Sequence, residues 1–149
     1  MSSMPEEDSI VALRGRRFPG GEYTVQHWEN FLLTECTGAE PLPGGMVHPA
    51  ALFHLPIAGA GTSIAEMFDL GQAESDVSIL IESYDWELHT PLIEDVPYRV
   101  TGEIIEAERL SDDRGRFYDR IQFLFNVSDR GGTPVARTRI TWRYTRNTL

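Results

Sequence analysis

Proton chemistry in this chain centres on His48. An imidazole titrates near ~6.5, so it can exchange a proton at neutral pH. His48 closes a loop over 39–47 that is punctuated by Pro41, Pro43, Gly44 and Gly45. Glu40 is the one acid in that loop, and so the one partner the loop offers. Pro49 follows and fits a helix start, where its missing N–H costs nothing. Ala50 and Ala51 then present backbone N–H groups that have no partner inside a helix. Farther along, Gly59 and Gly61 allow a sheet or a ligand to come close. If that neighbour is a ligand, Gly59→Leu should block binding without unfolding the chain. The competing role for His48 is a cap on the helix or a bond to a loop carbonyl. The competing role for Glu40 is a solvated loop acid.

The remaining reactive residues carry plainer expectations. His54 lies in an apolar run and reads as a hydrogen-bonded core histidine. His89 ends a strand beside Pro91 and reads as bonded to backbone. Asp85 and Glu87 share one strand face as solvated acids. Cys36 falls in a helical pattern as a small core residue, and a single cysteine forms no internal disulfide. The four histidines show neither i, i+4 spacing nor cysteine partners, so no metal is expected. No cofactor is expected either.

Composition narrows the classes of function. A chain of 149 residues suits one domain and buries roughly two-thirds of its unfolded surface. An apolar content of 41% supports a core. The formal charge of −10 disfavours nucleic acid, whose phosphates need Lys and Arg. It leaves room for an anionic ligand on a local basic patch. Arg137, Arg139, Arg143 and Arg146 cluster near the C-terminus, as a solvated strand face or a phosphate-binding rim. No apolar run approaches the ~20 residues of a membrane span. The first residues are polar and acidic, so no membrane contact and a cytoplasmic location are expected.

The elements that must position His48 follow from periodicity. Residues 1–22 read as an N-terminal segment, disordered at 1–8, with a short edge strand at Ile10 to Leu13. Residues 23–149 read as one domain. Apolar residues at Trp28, Phe31, Leu32 and Leu33 predict an amphipathic helix over 23–36, capped by Thr24 and stopped by Gly38. A turn at 49–55 and a helix at about 57–68 come next, divided by Pro56. The period then changes to two. Strands are predicted from about 77 to 89, over 98–110, from 117 to about 127, and through Ala136, Ile140, Trp142 and Tyr144. The Asp112–Gly115 and Asp129–Gly132 segments are their turns. One central helix wrapped by an antiparallel sheet is an α+β hotdog fold.

Several segments, in this order and spacing, resemble the MaoC-like dehydratase family, in its N-terminal-type hotdog domain. They are the 23–36 helix ending in Thr37-Gly38, the Val47-His48-Pro49 helix start, the 84–92 strand end and the 129–136 hairpin. The resemblance covers about 23–146. It implies pairing of hotdogs as a homodimer or heteromer, and acyl thioesters of coenzyme A or a carrier protein as substrates. Its active members hydrate enoyl thioesters or dehydrate 3-hydroxyacyl thioesters. Their signature is an Asp and a His about five residues apart before the central helix, with helix N–H groups holding the thioester oxygen. His48 and Glu40 are the only matching groups here, and Pro49 replaces the usual Gly, so Ala50 and Ala51 must donate.

The leading expectation is therefore a hydratase/dehydratase unit, catalytic by an unusual site or as the partner of a subunit that supplies Asp and His. One alternative is an acyl-thioester hydrolase with Glu66 or Glu40 activating water. The other is a hotdog that binds acyl groups or serves assembly without catalysis.

Overall fold

The computed structural model describes residues 4–146. Five antiparallel strands form one sheet in the order β1-β3-β4-β5-β2. They are β1 (Gly21–Thr24), β2 (Ile79–Leu88), β3 (Pro97–Ser111), β4 (Phe117–Ser128) and β5 (Pro134–Thr145). The period-two pattern decides the faces. Ile121, Phe123, Phe125 and Val127 of β4 are buried, as are Ala136, Ile140, Trp142 and Tyr144 of β5. The β3–β4 turn closes on Gly115, whose φ of 75° is left-handed. In the β4–β5 turn the Thr133 N–H donates to the Asp129 carboxylate at 2.9 Å. This is the hotdog sheet, with helices on its inner face.

The helical layer departs from one central helix. Pro49–Phe53 is a 3₁₀ turn, α3 spans Leu55–Gly59 and α4 spans Ile64–Leu70. Pro56 sits in the first turn of α3, where it starts the helix rather than breaking it. The break falls at Gly61, with φ of 79°, and Ser63 then caps α4 by accepting the Glu66 N–H. Ala51, Leu52, Leu55, Ile57 and Met67 bury this layer against the sheet.

The N-terminal third needs three corrections. Glu7–Val11 is a helix, α1, not an edge strand, and Ile10 is fully buried. Of the segment expected to be disordered, residues 7 and 8 open that helix, and residues 1–3 lie outside the described residues. Tyr23 and Thr24 belong to β1, so α2 runs His27–Thr37 with Gln26, not Thr24, as its cap. Gly38 ends it in the left-handed conformation, as expected. The faces of α2 are inverted: Asn30 and Thr34 are buried, while Trp28, Phe31 and Leu32 are more than half exposed. Cys36 is exposed, not core.

One buried ionic group lies at the sheet's end. Asp119 of β4, fully buried, accepts from Arg109 at 2.8 Å and from Arg146 at 2.7 Å. Arg109 also donates to the Pro5 carbonyl, and Arg146 to those of Gly71 and Gln72. The cluster ties both the N-terminal segment and the end of α4 to the sheet.

Candidate functional site

His48 is held at every polar atom the backbone and ring offer. Its own N–H donates to Asn30 Oδ1 at 2.8 Å, and its carbonyl accepts the Ala51 N–H at 3.0 Å. Ring Nδ1 accepts the Ala50 N–H at 3.0 Å, capping the 3₁₀ turn. Nδ1 therefore carries the lone pair and Nε2 the proton. Nε2 points at Thr37 Oγ1, 3.4 Å away, whose own hydrogen goes to the Thr34 carbonyl. In this arrangement His48 offers an N–H donor and no free base. The N–H groups of Ala50 and Ala51, expected to be open to a substrate, are both spent on His48, and Ala51 is fully buried.

The other expected site residues do not gather around it. Glu40 is exposed in the loop after α2. Gly59 faces protein: a Cβ there would lie 2.5 Å from Val100 Cγ2 and 3.2 Å from Tyr23 Cβ. A larger side chain at Gly59 displaces the sheet, so the substitution cannot spare the fold. Gly61 supplies the left-handed turn between α3 and α4. Glu66 takes the Thr62 hydroxyl at 3.0 Å at the start of α4. His89 bonds the Val135 carbonyl through its main-chain N–H, while its ring, expected to bond backbone, instead lies 3.8 Å from Glu87. The arginine cluster is largely neutralised: Arg137 pairs with Glu87, Arg143 with Glu82, and Arg146 with Asp119. Among the described residues, no group of three His, Cys, Asp or Glu side chains forms a metal cage.

Two carboxylate–imidazole pairs that sequence reasoning missed flank α2. Glu94 binds Asn30 Nδ2 at 2.7 Å and His27 Nδ1 at 3.0 Å. The Asn30 amide, then His27, hold the Glu94 carboxyl below the usual range. Asn30 also donates to the Met46 carbonyl, so α2 is fastened to the loop that carries His48. On the other side, Glu29 Oε1 meets His54 Nε2 at 2.7 Å and accepts from the Tyr23 hydroxyl at 2.6 Å. The Tyr23 ring stands edge-on to the His54 ring, 5.9 Å between centroids. His54 is thus no core residue: its side chain is 41% exposed, and Glu29 orients it.

Burial, then the hydrogen bond to Glu29, push the Tyr23 phenol up to about 12. A raised phenol contributes stability below the ordinary value near ~10 and loses it as pH climbs toward the folded value. Burial raises the Tyr84 and Tyr144 phenols as well, so in an ultraviolet titration the Tyr23 step should fall among three late ones, above the ordinary value near ~10. Glu29→Gln should bring that step down. An unchanged profile in the variant would show that Glu29 does not hold the phenol.

No family model matches the chain, and no curated protein matches it by sequence. Solved structures do match in shape. The ChsH1–ChsH2 complex of Mycobacterium tuberculosis aligns with a TM-score of 0.70 at 10% identity, over 95% of this chain and 92% of that one. The C-terminally truncated HadBC (3R-hydroxyacyl-ACP dehydratase) complex from the same organism aligns at 0.64 and 12% identity, over 88% and 96%. A Thermus thermophilus thioesterase complexed with coenzyme A and Zn aligns at 0.55 and 11% identity, over 87% and 82%. At such identities the likeness establishes the hotdog fold.

Proposed function

We propose that this chain is an acyl-thioester hydratase/dehydratase unit that works beside a second hotdog subunit. The observation that carries this reading is the state of His48. It stands where the helical layer begins, yet both ring nitrogens are engaged. Among the described residues no carboxylate pairs with it. A neutral imidazole with its proton on Nε2 can polarise a thioester carbonyl, but it cannot remove a proton. Hydration also needs a base and an acid, and this neutral imidazole is neither, so both come from another subunit.

The sheet supports that division of labour. Among the described residues β2 pairs only with β5, and its other edge carries no strand. Leu80 and Ile81 on it are 53% and 66% exposed. An open edge with apolar side chains is a surface for another sheet. Two of the similar structures, ChsH1–ChsH2 and HadBC, are complexes, the second described as a 3R-hydroxyacyl-ACP dehydratase. Coenzyme A and a carrier protein are both suitable carriers of the acyl group.

The test is hydration of a short and a long enoyl-CoA by the chain alone and with a hotdog encoded beside it. Alone, the chain should give no turnover. The pair should turn over, and His48→Ala should lower its rate by about 10²–10³. Full activity of the chain alone would overturn the partner requirement. An unchanged rate in the His48→Ala pair would remove His48 from the chemistry.

Glu29 and His54 support a second reading. A carboxylate-oriented imidazole, half exposed, has the geometry to activate water against a thioester. Thiol release from acyl-CoA by the chain alone, abolished in His54→Ala, would favour hydrolysis instead.

A further inference from the structure

Helix α2 turns its apolar side outward. Its inward positions hold Asn30 and Thr34, buried and hydrogen-bonded, while Trp28, Phe31 and Leu32 are each more than half exposed. Those three fall at i, i+3 and i+4, so they form one stripe along the helix. Between α2 and the loop after it runs a groove of about 220 Å³, lined by Phe31, Pro41 and Leu42 and by the acids Glu35 and Glu94. An outward apolar stripe beside such a groove marks a surface that another molecule covers.

Charge decides what that molecule is. All 13 Lys and Arg residues of the chain lie outside residues 18–98, a stretch that holds 13 of its 23 Asp and Glu. On the sheet, arginines of β4 and β5 neutralise part of this charge: Arg120 and Arg143 pair with Glu82, and Arg137 with Glu87. Around α2 no arginine does so. Among the described residues Glu29 and Glu94 meet only the imidazoles of His54 and His27, and Glu35 and Asp95 form no ion pair. A second copy of this chain brings the same acids and no Lys or Arg on its own α2, so a two-fold contact across this face sets like charges together. An anionic membrane is repelled for the same reason. A basic partner is attracted from a distance and matched on contact.

We infer that the outer face of α2 and the 41–45 loop dock an apolar, arginine-bearing segment of a different protein. Its apolar side chains cover Trp28, Phe31 and Leu32. One arginine lays its stem along Phe31 and Leu42 in the groove and turns its guanidinium to Glu35 and Glu94. Arginine suits the place better than lysine, because its planar fork meets a carboxylate with two parallel bonds. The surface stands independently of the reading of His48 and of the edge of β2.

Fluorescence titration with synthetic peptides tests it. Trp28 is the one exposed tryptophan, so covering it should shift the emission to the blue. A helical peptide of about 15 residues, with leucine at i, i+3, i+4 and i+7 and arginine elsewhere, should bind and lose affinity as salt rises. The same peptide with glutamate for arginine, or with serine for leucine, should bind at least about tenfold more weakly. Phe31→Ser and Glu35→Arg alter exposed side chains, so circular dichroism should show both variants folded, and each should weaken the first peptide about tenfold. Asp76→Arg, at an exposed acid in the turn before β2, should leave its affinity unchanged. No binding by the first peptide would overturn the site. An equal loss in Asp76→Arg and Glu35→Arg would reduce the attraction to diffuse charge and overturn it too. A shift of Trp28 emission by phosphatidylcholine/phosphatidylglycerol vesicles but not by the peptide would assign the face to lipid. A dimer of this chain in sedimentation that Phe31→Ser dissociates would assign it to a second copy. Either result overturns the proposal.

Discussion

Phe123→Ala should lower the stability of this protein by about 3–5 kcal/mol, and Trp142→Ala by a similar amount. Phe123 is fully buried and Trp142 nearly so, on the sheet face that the helical layer covers. Their rings meet edge-on at 5.4 Å. Phe123 also stacks on Phe18 at 6.3 Å, and Trp142 meets Phe68 of α4 at 5.2 Å. Neither cavity can collapse easily, because strand backbone on one side and helices on the other hold its walls. Since the two rings touch, the double variant should cost less than the sum of the singles. Urea unfolding measures all three. Near-wild-type midpoints for both single variants would mean that the sheet buries its opposite face.

These two residues were legible in the sequence for a simple reason. β3, β4 and β5 are long, and a two-residue period repeated over such lengths leaves one consistent face. The edge strand β2 kept its limits too, although a bulge between Ile81 and Ser83 shifts its register. Short elements read less well. The apolar residues of α2 predict an inward face, but Asn30 decides its orientation through bonds to Met46, Glu94 and His48. Its partners lie far off in sequence, and no local period reports them. Trp28, Phe31 and Leu32 are left facing out. The single helix over 57–68 failed because the Gly59–Gly61 stretch approaches the sheet too closely to continue, and Gly61 turns left-handed. The site suffered most. Glu29 and His54 stand on separate elements, and only folding brings them together. His48 takes the capping role that the sequence offers beside the catalytic one, and its ring contacts to Thr37 and Ala50 leave no mark in any local pattern.

Asp119 carries a signal that is visible in the sequence. It falls in phase with Phe117, Ile121 and Phe123, so the alternation alone places an acid inside. An acid at an inward position needs a cation, and Arg109 and Arg146 supply two. Asp119→Ala should therefore be among the most damaging single changes, at about 3–5 kcal/mol. The loss comes less from the missing attraction than from what is left behind. The Arg146 guanidinium, with no exposed side-chain surface, would keep its charge with only carbonyls around it. Asp119→Asn keeps the shape but not the charge, and should also destabilise. The exposed Arg137–Glu87 pair is the control: Glu87→Ala should cost under about 1 kcal/mol, because solvent screens it. Chemical unfolding of the three variants compares them. If Asp119→Ala unfolds no more easily than Glu87→Ala, the two arginines reach solvent, and the group fastens neither the Pro5 segment nor the end of α4.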